Sequence, residues 1–213
     1  MCKIDYIYRL GIDSSSQIAV AKTDNSSETL YYELELNEYD KEIYNKVHHE
    51  SIKVQWLTIR VMINDILGEG KHIIYDEFDK PHLSDKSYYI SISHIKGYVA
   101  VIISKDKHAG IDIETRDERI KRIINRFLNT NELKSVEKEN DITKYLLYWN
   151  AKEALYKLYG RKNLIFKENI LLSSFVLKES GSFEGKIKTD NYDNDFNVNY
   201  KVFDEFTLAW SLK

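Results

Sequence analysis

Cysteine and proline are nearly absent from this chain of 213 residues, which contains one of each, Cys2 and Pro81. A single cysteine excludes a disulfide within the chain, and no spacing of cysteine and histidine suggests a zinc site. Cys2 is a poor candidate for a nucleophile, because a residue so close to a chain terminus is rarely held rigidly. With one proline, the turns must come mainly from glycines and polar segments.

Long hydrophobic runs and a strong net charge are also missing. The longest apolar run, residues 98–103, is far too short to span a bilayer, and residues 1–13 lack the apolar core of a signal peptide. The net charge of −3 argues against general nucleic-acid binding. A hydrophobic content of 43% is typical of a folded domain. We therefore expect a globular cytoplasmic protein that binds neither nucleic acid nor membrane.

Alternating and β-branched segments predict several strands. Residues 88–94 and 98–103 predict a hairpin that turns at Lys96 and Gly97. Residues 110–114 predict another short strand. A C-terminal sheet is predicted at residues 170–177, 183–189, 196–203 and 206–212, with turns supplied by Gly181, Gly185 and residues 189–195.

Helices are predicted where apolar residues recur with helical spacing. One covers residues 40–67, with a break near His48 and His49 and an end at Gly68. Asn129 and Glu132 are spaced as a capping box that opens a short helix. Two further helices are predicted at residues 117–128 and at residues 142–159, the latter capped by Gly160.

Two parts of the sequence resemble each other. Gly-Ile-Asp at residues 11–13 recurs at residues 110–112. Trp56, in a segment that ends at a glycine, recurs as Trp149 in a similar segment. This shared order predicts an internal duplication. Only the second copy has a set of carboxylates, since Glu153 stands where the first copy has Arg60.

The second copy places acidic side chains on a strand and on a helix. Asp112 and Glu114 point to the same face of their strand and repel each other unless a cation lies between them. By themselves they fit an ordinary solvated edge strand. Trp149, Glu153 and Lys157 form one stripe of a helix, which by itself fits a Glu–Lys pair on a wet face.

The rest of that helix is apolar, so its polar stripe needs a partner. Asp112, Glu114 and Glu153 are suited to hold a divalent ion, because Mg²⁺ binds a few carboxylates together with water and phosphate oxygens. Lys152 and Lys157 would lie beside it, ready for phosphate binding or proton transfer.

Two dipeptides upstream have both structural and functional interpretations. Ser93-His94 closes a predicted strand, where a histidine is usually structural, but beside a phosphate site it would be a donor to pyrophosphate. Lys80-Pro81 by itself fits a simple turn. No phosphate-binding P-loop, dinucleotide-binding glycine pattern or serine-hydrolase motif is present.

Residues 110–114 (Gly-Ile-Asp-Ile-Glu), followed 35 residues later by Trp149-x-x-Lys152-Glu153-x-x-x-Lys157, resemble the signature of the 4'-phosphopantetheinyl transferase superfamily. Lys80-Pro81 and Ser93-His94, upstream and in the right order, resemble two further motifs of that family. The length and the internal repeat are similar to the Sfp-type branch. The resemblance implies an α+β fold of two pseudosymmetric α+β halves in one chain, residues 1–105 and residues 106–213, the second carrying the metal site.

The resemblance also implies a reaction. The family transfers the 4'-phosphopantetheine arm of coenzyme A to a serine of an apo acyl or peptidyl carrier protein, with Mg²⁺ as cofactor and 3',5'-ADP as leaving group. We expect a monomer that acts on such a carrier. Basic residues within 116–128 would help dock the carrier.

The family pattern assigns a role to each matching residue. Asp112, Glu114 and Glu153 would bind Mg²⁺. Glu153 would also take the proton of the serine, directly or through water, and Lys157 would stabilise or protonate the departing phosphate. The coenzyme A contacts would come from Lys80, Pro81, Ser93, His94 and Lys152.

The sequence departs from the family pattern in two places. Asp79 stands where the family usually has glycine before Lys-Pro, and residues 160–163 read Gly-Arg-Lys-Asn where it has Gly-Lys-Gly. Candidates for binding the 3'-phosphate are Lys46, Lys53 and Arg60. Two alternatives remain open: a non-catalytic module that binds coenzyme A or a carrier protein, and a metal-dependent hydrolase.

Overall fold

The computed structural model describes residues 4–139 and 141–213, so Cys2 lies outside the described residues. The chain divides into two compact units, Met1–Asp106 and Lys107–Lys213. Each unit combines helices with an antiparallel sheet, which confirms the predicted α+β fold. Within the described residues, no helix is both long and apolar enough to cross a membrane.

The first unit contains a four-stranded sheet, a small hairpin and three helices. Its strands are β1 (Tyr6–Gly11), β2 (Ser16–Lys22), β3 (Ile73–Tyr75), β4 (Pro81–Leu83), β5 (Tyr89–Ile95) and β6 (Tyr98–Ser104). Its helices are α1 (Ser27–Tyr32), α2 (Glu38–Lys46) and α3 (Glu50–Leu67). The sheet order is β1-β2-β6-β5, and β3 pairs with β4. The predicted hairpin and the break between α2 and α3 are confirmed.

The second unit contains a five-stranded sheet of order β7-β11-β10-β9-β8. Its strands are β7 (Ala109–Thr115), β8 (Ile170–Leu172), β9 (Ser180–Thr189), β10 (Tyr192–Val202) and β11 (Phe206–Leu212). After β7 come a 3₁₀ helix (Glu118–Arg122) and the helices α4 (Ile124–Phe127), α5 (Thr130–Glu139), α6 (Ile142–Tyr159) and α7 (Phe166–Asn169). Apolar side chains of α6 pack on this sheet to form the core.

Three local predictions are wrong in the second unit. The helix expected at residues 117–128 is broken at Ile123, whose backbone (φ −116°, ψ 1°) separates the 3₁₀ helix from α4. The strand expected at residues 170–177 ends at Leu172. Gly181 and Gly185 lie inside β9 rather than in turns, and the β9–β10 hairpin turns at residues 190–191.

The strands β2 and β7 have similar connections in their units, although β2 is internal in its sheet and β7 lies at an edge. Each precedes the helices and pairs with the last strand of its unit, β6 or β11. Their bounds differ by 93 residues at both ends (16 to 109, 22 to 115), as do Trp56 in α3 and Trp149 in α6. The repeated Gly-Ile-Asp is not part of this correspondence, because Gly11 ends β1 whereas Gly110 lies within β7.

Candidate functional site

Gly110 allows α6 to lie directly on β7. A Cβ atom on Gly110 would lie 1.9 Å from the backbone oxygen of Ala154, so no other residue fits without moving the helix. Alternate residues of a strand share a face, and Asp112 and Glu114 therefore point to α6 together with Gly110. This contact brings the two carboxylates of β7 against the polar stripe of the helix.

Asp112 is buried, and both of its oxygens are hydrogen-bonded. Oδ1 accepts a hydrogen bond from Nζ of Lys157 at 2.7 Å, and Oδ2 accepts one from Nδ2 of Asn150 at 2.8 Å. Lys157 also donates to the backbone oxygen of Ile111 at 3.2 Å. The ammonium of Lys157 thus compensates the charge of Asp112 and is fixed beside the carboxylates.

Glu114 is held by the indole of Trp149. Its Oε1 accepts a hydrogen bond from Nε1 of Trp149 at 2.9 Å. The indole packs between Phe127 and Phe166, with ring centroids 5.0 and 5.6 Å away. Burial raises the pKa of Glu114, and the nearby charge of Asp112 adds to this effect.

Glu153 is half-buried, one helical turn after Trp149 and one before Lys157. Among the described residues, its carboxylate accepts no hydrogen bond and forms no ion pair. Burial raises the pKa of Glu153 to about 7, with a further contribution from Asp112 that outweighs the opposing effect of Lys157. A carboxylate with this pKa is suited to accept a proton near neutral pH.

The donor chemistry of the three carboxylates fits Mg²⁺. Asp112 and Glu114 each raise the pKa of Glu153, which shows that the charges lie close enough to repel. A divalent cation relieves such repulsion, and Mg²⁺ takes few protein carboxylates because water and phosphate oxygens complete its shell. In residues 4–139 and 141–213, no three acidic, histidine or cysteine side chains are arranged so that they could together hold a metal ion.

Lys152 lies in the core, which makes it a poor candidate for the predicted contact with coenzyme A. Its Nζ pairs with Oε2 of Glu132 at 2.9 Å and donates to the backbone oxygens of Phe166 at 3.0 Å and Ile170 at 2.5 Å. Both charged side chains are almost completely buried. Burial lowers the pKa of Lys152, and Glu132 opposes that shift.

Glu132 has the capping role predicted for it as well. The side chain of Asn129 accepts from the backbone N–H of Glu132 at 3.0 Å, and Glu132 accepts from the backbone N–H of Asn129 at 2.8 Å. The capping box at the start of α5 is therefore confirmed. Sequence reasoning did not predict that the same glutamate also binds Lys152.

Asn150 and Thr207 are two site residues that sequence reasoning missed. Both are fully buried, and Asn150 joins Asp112 to the hydroxyl of Thr207. The one sequence signal that could have indicated Asn150 is that its amide side chain stands on the otherwise apolar side of α6.

Lys80 and Pro81 lie at the turn between β3 and β4. Oδ1 of Asp76 accepts from the backbone N–H groups of Phe78 and Lys80 at 2.9 and 3.0 Å, which closes the turn. Asp79 has a φ of 65°, the left-handed conformation that favours glycine, so aspartate here adopts a glycine-like backbone. Burial lowers the pKa of Lys80.

Ser93 and His94 lie on β5, the edge strand of the first sheet, with Ser93 buried and His94 exposed. The roles predicted for them, and for Lys80 and Pro81, stay predictions. Arg60 is buried, pairs with Oδ1 of Asp40 at 3.0 Å, and lies 3.2 Å from the ring centroid of Trp56. These contacts make it a poor candidate for the 3'-phosphate.

Comparison with protein families gives a match in the second unit. Residues 108–211 match the sequence model of the 4'-phosphopantetheinyl transferase superfamily. The matched region contains Asp112, Glu114, Glu153 and Lys157. None of the curated proteins compared with the chain matches it significantly.

Proposed function

This chain belongs to the 4'-phosphopantetheinyl transferase superfamily through residues 108–211, and we propose that it transfers the 4'-phosphopantetheine arm of coenzyme A to a serine of an apo carrier protein. The products are the holo carrier protein and 3',5'-ADP. The transferase class follows from the family. The carrier protein, the need for Mg²⁺ and the membership of the Sfp-type branch are parts of the proposal.

The observation that carries the proposal is the setting of Glu153. It combines a pKa of about 7 with the nearby charges of Asp112 and Glu114, and it lies one helical turn before Lys157. A proton acceptor, a cation and two further carboxylates are the groups that a magnesium-dependent phosphoryl transfer requires. A module that only binds its ligand has no need of this set.

Asp112, Glu114 and Glu153 would hold Mg²⁺. Once bound, the ion neutralises the pyrophosphate of coenzyme A and makes its phosphorus more electrophilic.

Each protein group has a defined part in the transfer. Glu153 accepts the proton of the serine hydroxyl, directly or through a water, while the serine oxygen bonds to the phosphorus of the phosphopantetheine arm. The bond between that phosphorus and the oxygen of 3',5'-ADP breaks. Lys157 stabilises the charge on the departing phosphate or protonates it.

Coenzyme A would be bound by the first-unit residues that match the family motifs. Ser93 and His94 would contact its phosphates, and Lys80 with the backbone of Pro81 would border its nucleotide. The glycine-like backbone of Asp79 supports this assignment, because the turn keeps its shape despite the departure from Gly-Lys-Pro.

Intact-mass analysis of the carrier tests the proposal. The chain is incubated with coenzyme A, Mg²⁺ and several apo carrier proteins, and the gain of the phosphopantetheine mass is recorded. We expect the modified carrier with the native chain and its loss with Glu153→Gln. Glu137→Gln, which changes an exposed glutamate of α5, is the matched control.

Either of two other results would contradict the proposal and favour another function. Binding of coenzyme A without a modified carrier would favour a non-catalytic binding module. Release of phosphate from nucleotides in the absence of any carrier would favour a metal-dependent hydrolase.

A further inference from the structure

Asn150 and Thr207 form a buried chain of hydrogen bonds that ends on Asp112. The Thr207 hydroxyl donates to Oδ1 of Asn150 at 2.5 Å, and Nδ2 of Asn150 donates to Oδ2 of Asp112 at 2.8 Å. Asn150 and Thr207 each have an exposed fraction of 0%. We call these two residues the Asn–Thr relay.

The hydrogen bonds fix the orientation of the Asn150 amide. The carboxylate of Asp112 only accepts, so the NH₂ group of Asn150 must face it. The amide oxygen then faces Thr207, whose hydroxyl donates to it. Without that hydroxyl, the amide oxygen would be buried without a donor, which is energetically costly.

The first unit provides an internal comparison. Residues 93 positions before Asn150 and Asp112 are Leu57 in α3 and Ala19 in β2. In the strand ladders, Thr207 pairs with Glu114, whereas Val99 pairs with Ala21, 93 positions before Glu114. Where the carboxylates are absent, the positions of the relay are therefore occupied by apolar residues.

We propose that Asn150 and Thr207 are positioning residues that fix the carboxylate of Asp112 for a divalent cation. The relay holds Oδ2, so a metal ion would bind at Oδ1, in the place that Nζ of Lys157 now takes. A ligand held in place by a neighbouring hydrogen bond loses less conformational freedom on metal binding. This inference rests on the proposed function, because it assumes that Asp112 is a metal ligand.

Direct binding of Mn²⁺ tests the relay. Free Mn²⁺ is measured by electron paramagnetic resonance in the presence of coenzyme A, for the native chain and for Thr207→Val, Thr207→Ser and Asn150→Leu. We expect Thr207→Val and Asn150→Leu to weaken Mn²⁺ binding on the order of tenfold. Asn150→Leu removes the hydrogen bond to the Asp112 carboxylate, and Thr207→Val removes the hydroxyl that orients the Asn150 amide for that bond. Thr207→Ser keeps the hydroxyl and is expected to retain most of the affinity.

Kinetics separate positioning from general damage. In Thr207→Val, the Mn²⁺ concentration that gives the half-maximal rate should rise by a larger factor than the factor by which kcat falls at saturating Mn²⁺. Circular dichroism and thermal unfolding verify that each variant is folded. If Thr207→Val does not fold, Thr207→Ala removes the same hydroxyl with a smaller side chain and takes its place.

Unchanged Mn²⁺ affinity in a folded Thr207→Val would overturn the inference, because the relay would then serve packing alone. Equal losses in Thr207→Val and Thr207→Ser would overturn it as well. A native chain that binds no Mn²⁺ refutes the relay together with the metal site. A native chain that binds Mn²⁺ but modifies no carrier refutes the proposed function, and the Mn²⁺ affinities still decide the relay.

Discussion

The contact between α6 and β7 depends on the missing side chain of Gly110. Because the carbonyl of Ala154 lies where a Cβ atom would be, this glycine permits a close approach rather than an unusual backbone angle. At this separation, Asp112 and Glu114 of β7 form hydrogen bonds with side chains of α6. Gly11 contrasts with it, because a Cβ atom there would have no neighbour within 4 Å.

We expect Gly110→Ala to lower the free energy of unfolding by about 1–3 kcal/mol, the range for an overpacked core. The reason is that the added methyl group must push α6 away from β7. Chemical denaturation measures the change. Gly11→Ala is the control and should cost far less, and equal costs for the two variants would contradict the argument.

Glu153 should make the stability of the metal-free protein depend on pH. The folded-state pKa of Glu153 is raised from 4.5 to about 7, so the folded protein binds more protons than the unfolded one between these values. The free energy of unfolding should therefore fall as the pH rises from 4.5 to 7, by on the order of 2 kcal/mol. Denaturation in chelator at pH 5 and pH 8 measures this fall.

Glu153→Gln should remove most of that fall, since glutamine does not titrate. Adding Mg²⁺ to the native chain at pH 8 should recover stability, because the ion offsets the repulsion among the carboxylates. A native chain with the same pH dependence as Glu153→Gln would show that Glu153 has an ordinary pKa.

At the scale of the elements, Lys152 joins α6 to α5 and to the segment that leads into β8. Its ammonium binds Glu132 of α5 and the carbonyl oxygens of Phe166 and Ile170. The aromatic ring of Phe166 packs against Trp149, which in turn binds Glu114. Lys152 therefore supports the site from within the core.

We expect Lys152→Met to cost about 3–5 kcal/mol of unfolding free energy, because it leaves the charge of Glu132 buried without a cation. The double variant Lys152→Met/Glu132→Gln should be more stable than Lys152→Met alone, since glutamine removes that charge and keeps an acceptor. Urea denaturation of the two single variants and the double variant measures the coupling. Additive costs would argue against a coupled ion pair.

Some elements follow from local sequence, and others do not. The end of α6 at Gly160 was predictable, because a glycine after a long apolar pattern favours the left-handed cap seen there (φ 66°). Residues 117–128 have the same apolar spacing but form two short helices. They break at Ile123, and each buries one residue, Ile120 or Phe127, in the core; helical spacing shows neither the break nor which residues are buried.

At the scale of the whole molecule, two units with a similar strand order differ in their charges at matching positions. The positions of Asp112, Glu114 and Glu153 correspond, 93 residues earlier, to Ala19, Ala21 and Arg60. The net charge of −3 therefore gives no hint of the acidic site. The net charge likewise gives no indication of the exposed arginines that follow β7, where we expect the carrier protein to dock.

We expect Arg122→Glu or Arg126→Glu to lower kcat/KM for an acidic carrier protein by about tenfold at low salt, because charge complementarity speeds association. Coenzyme A binding, measured by calorimetry, should be unchanged. Lys188→Glu makes the same charge change on β9 and serves as the control. Equal losses in carrier turnover and coenzyme A binding would argue against docking at these arginines.

The long helices and the motif that contains Asp112, Glu114, Glu153 and Lys157 could be predicted from the sequence, because periodicity, caps and motif spacing are local properties. The α+β class was implied by the resemblance to the family. Which polar side chains contact each other depends on how distant segments pack. Lys152 pairs with Glu132, which lies 20 residues earlier in the sequence, and Asn150 bonds to Thr207, which lies 57 residues later. These contacts hold Lys152 in the core and place the Asn–Thr relay behind Asp112. Burial of Glu153 itself raises its pKa, since charges lose hydration only when the chain packs around them.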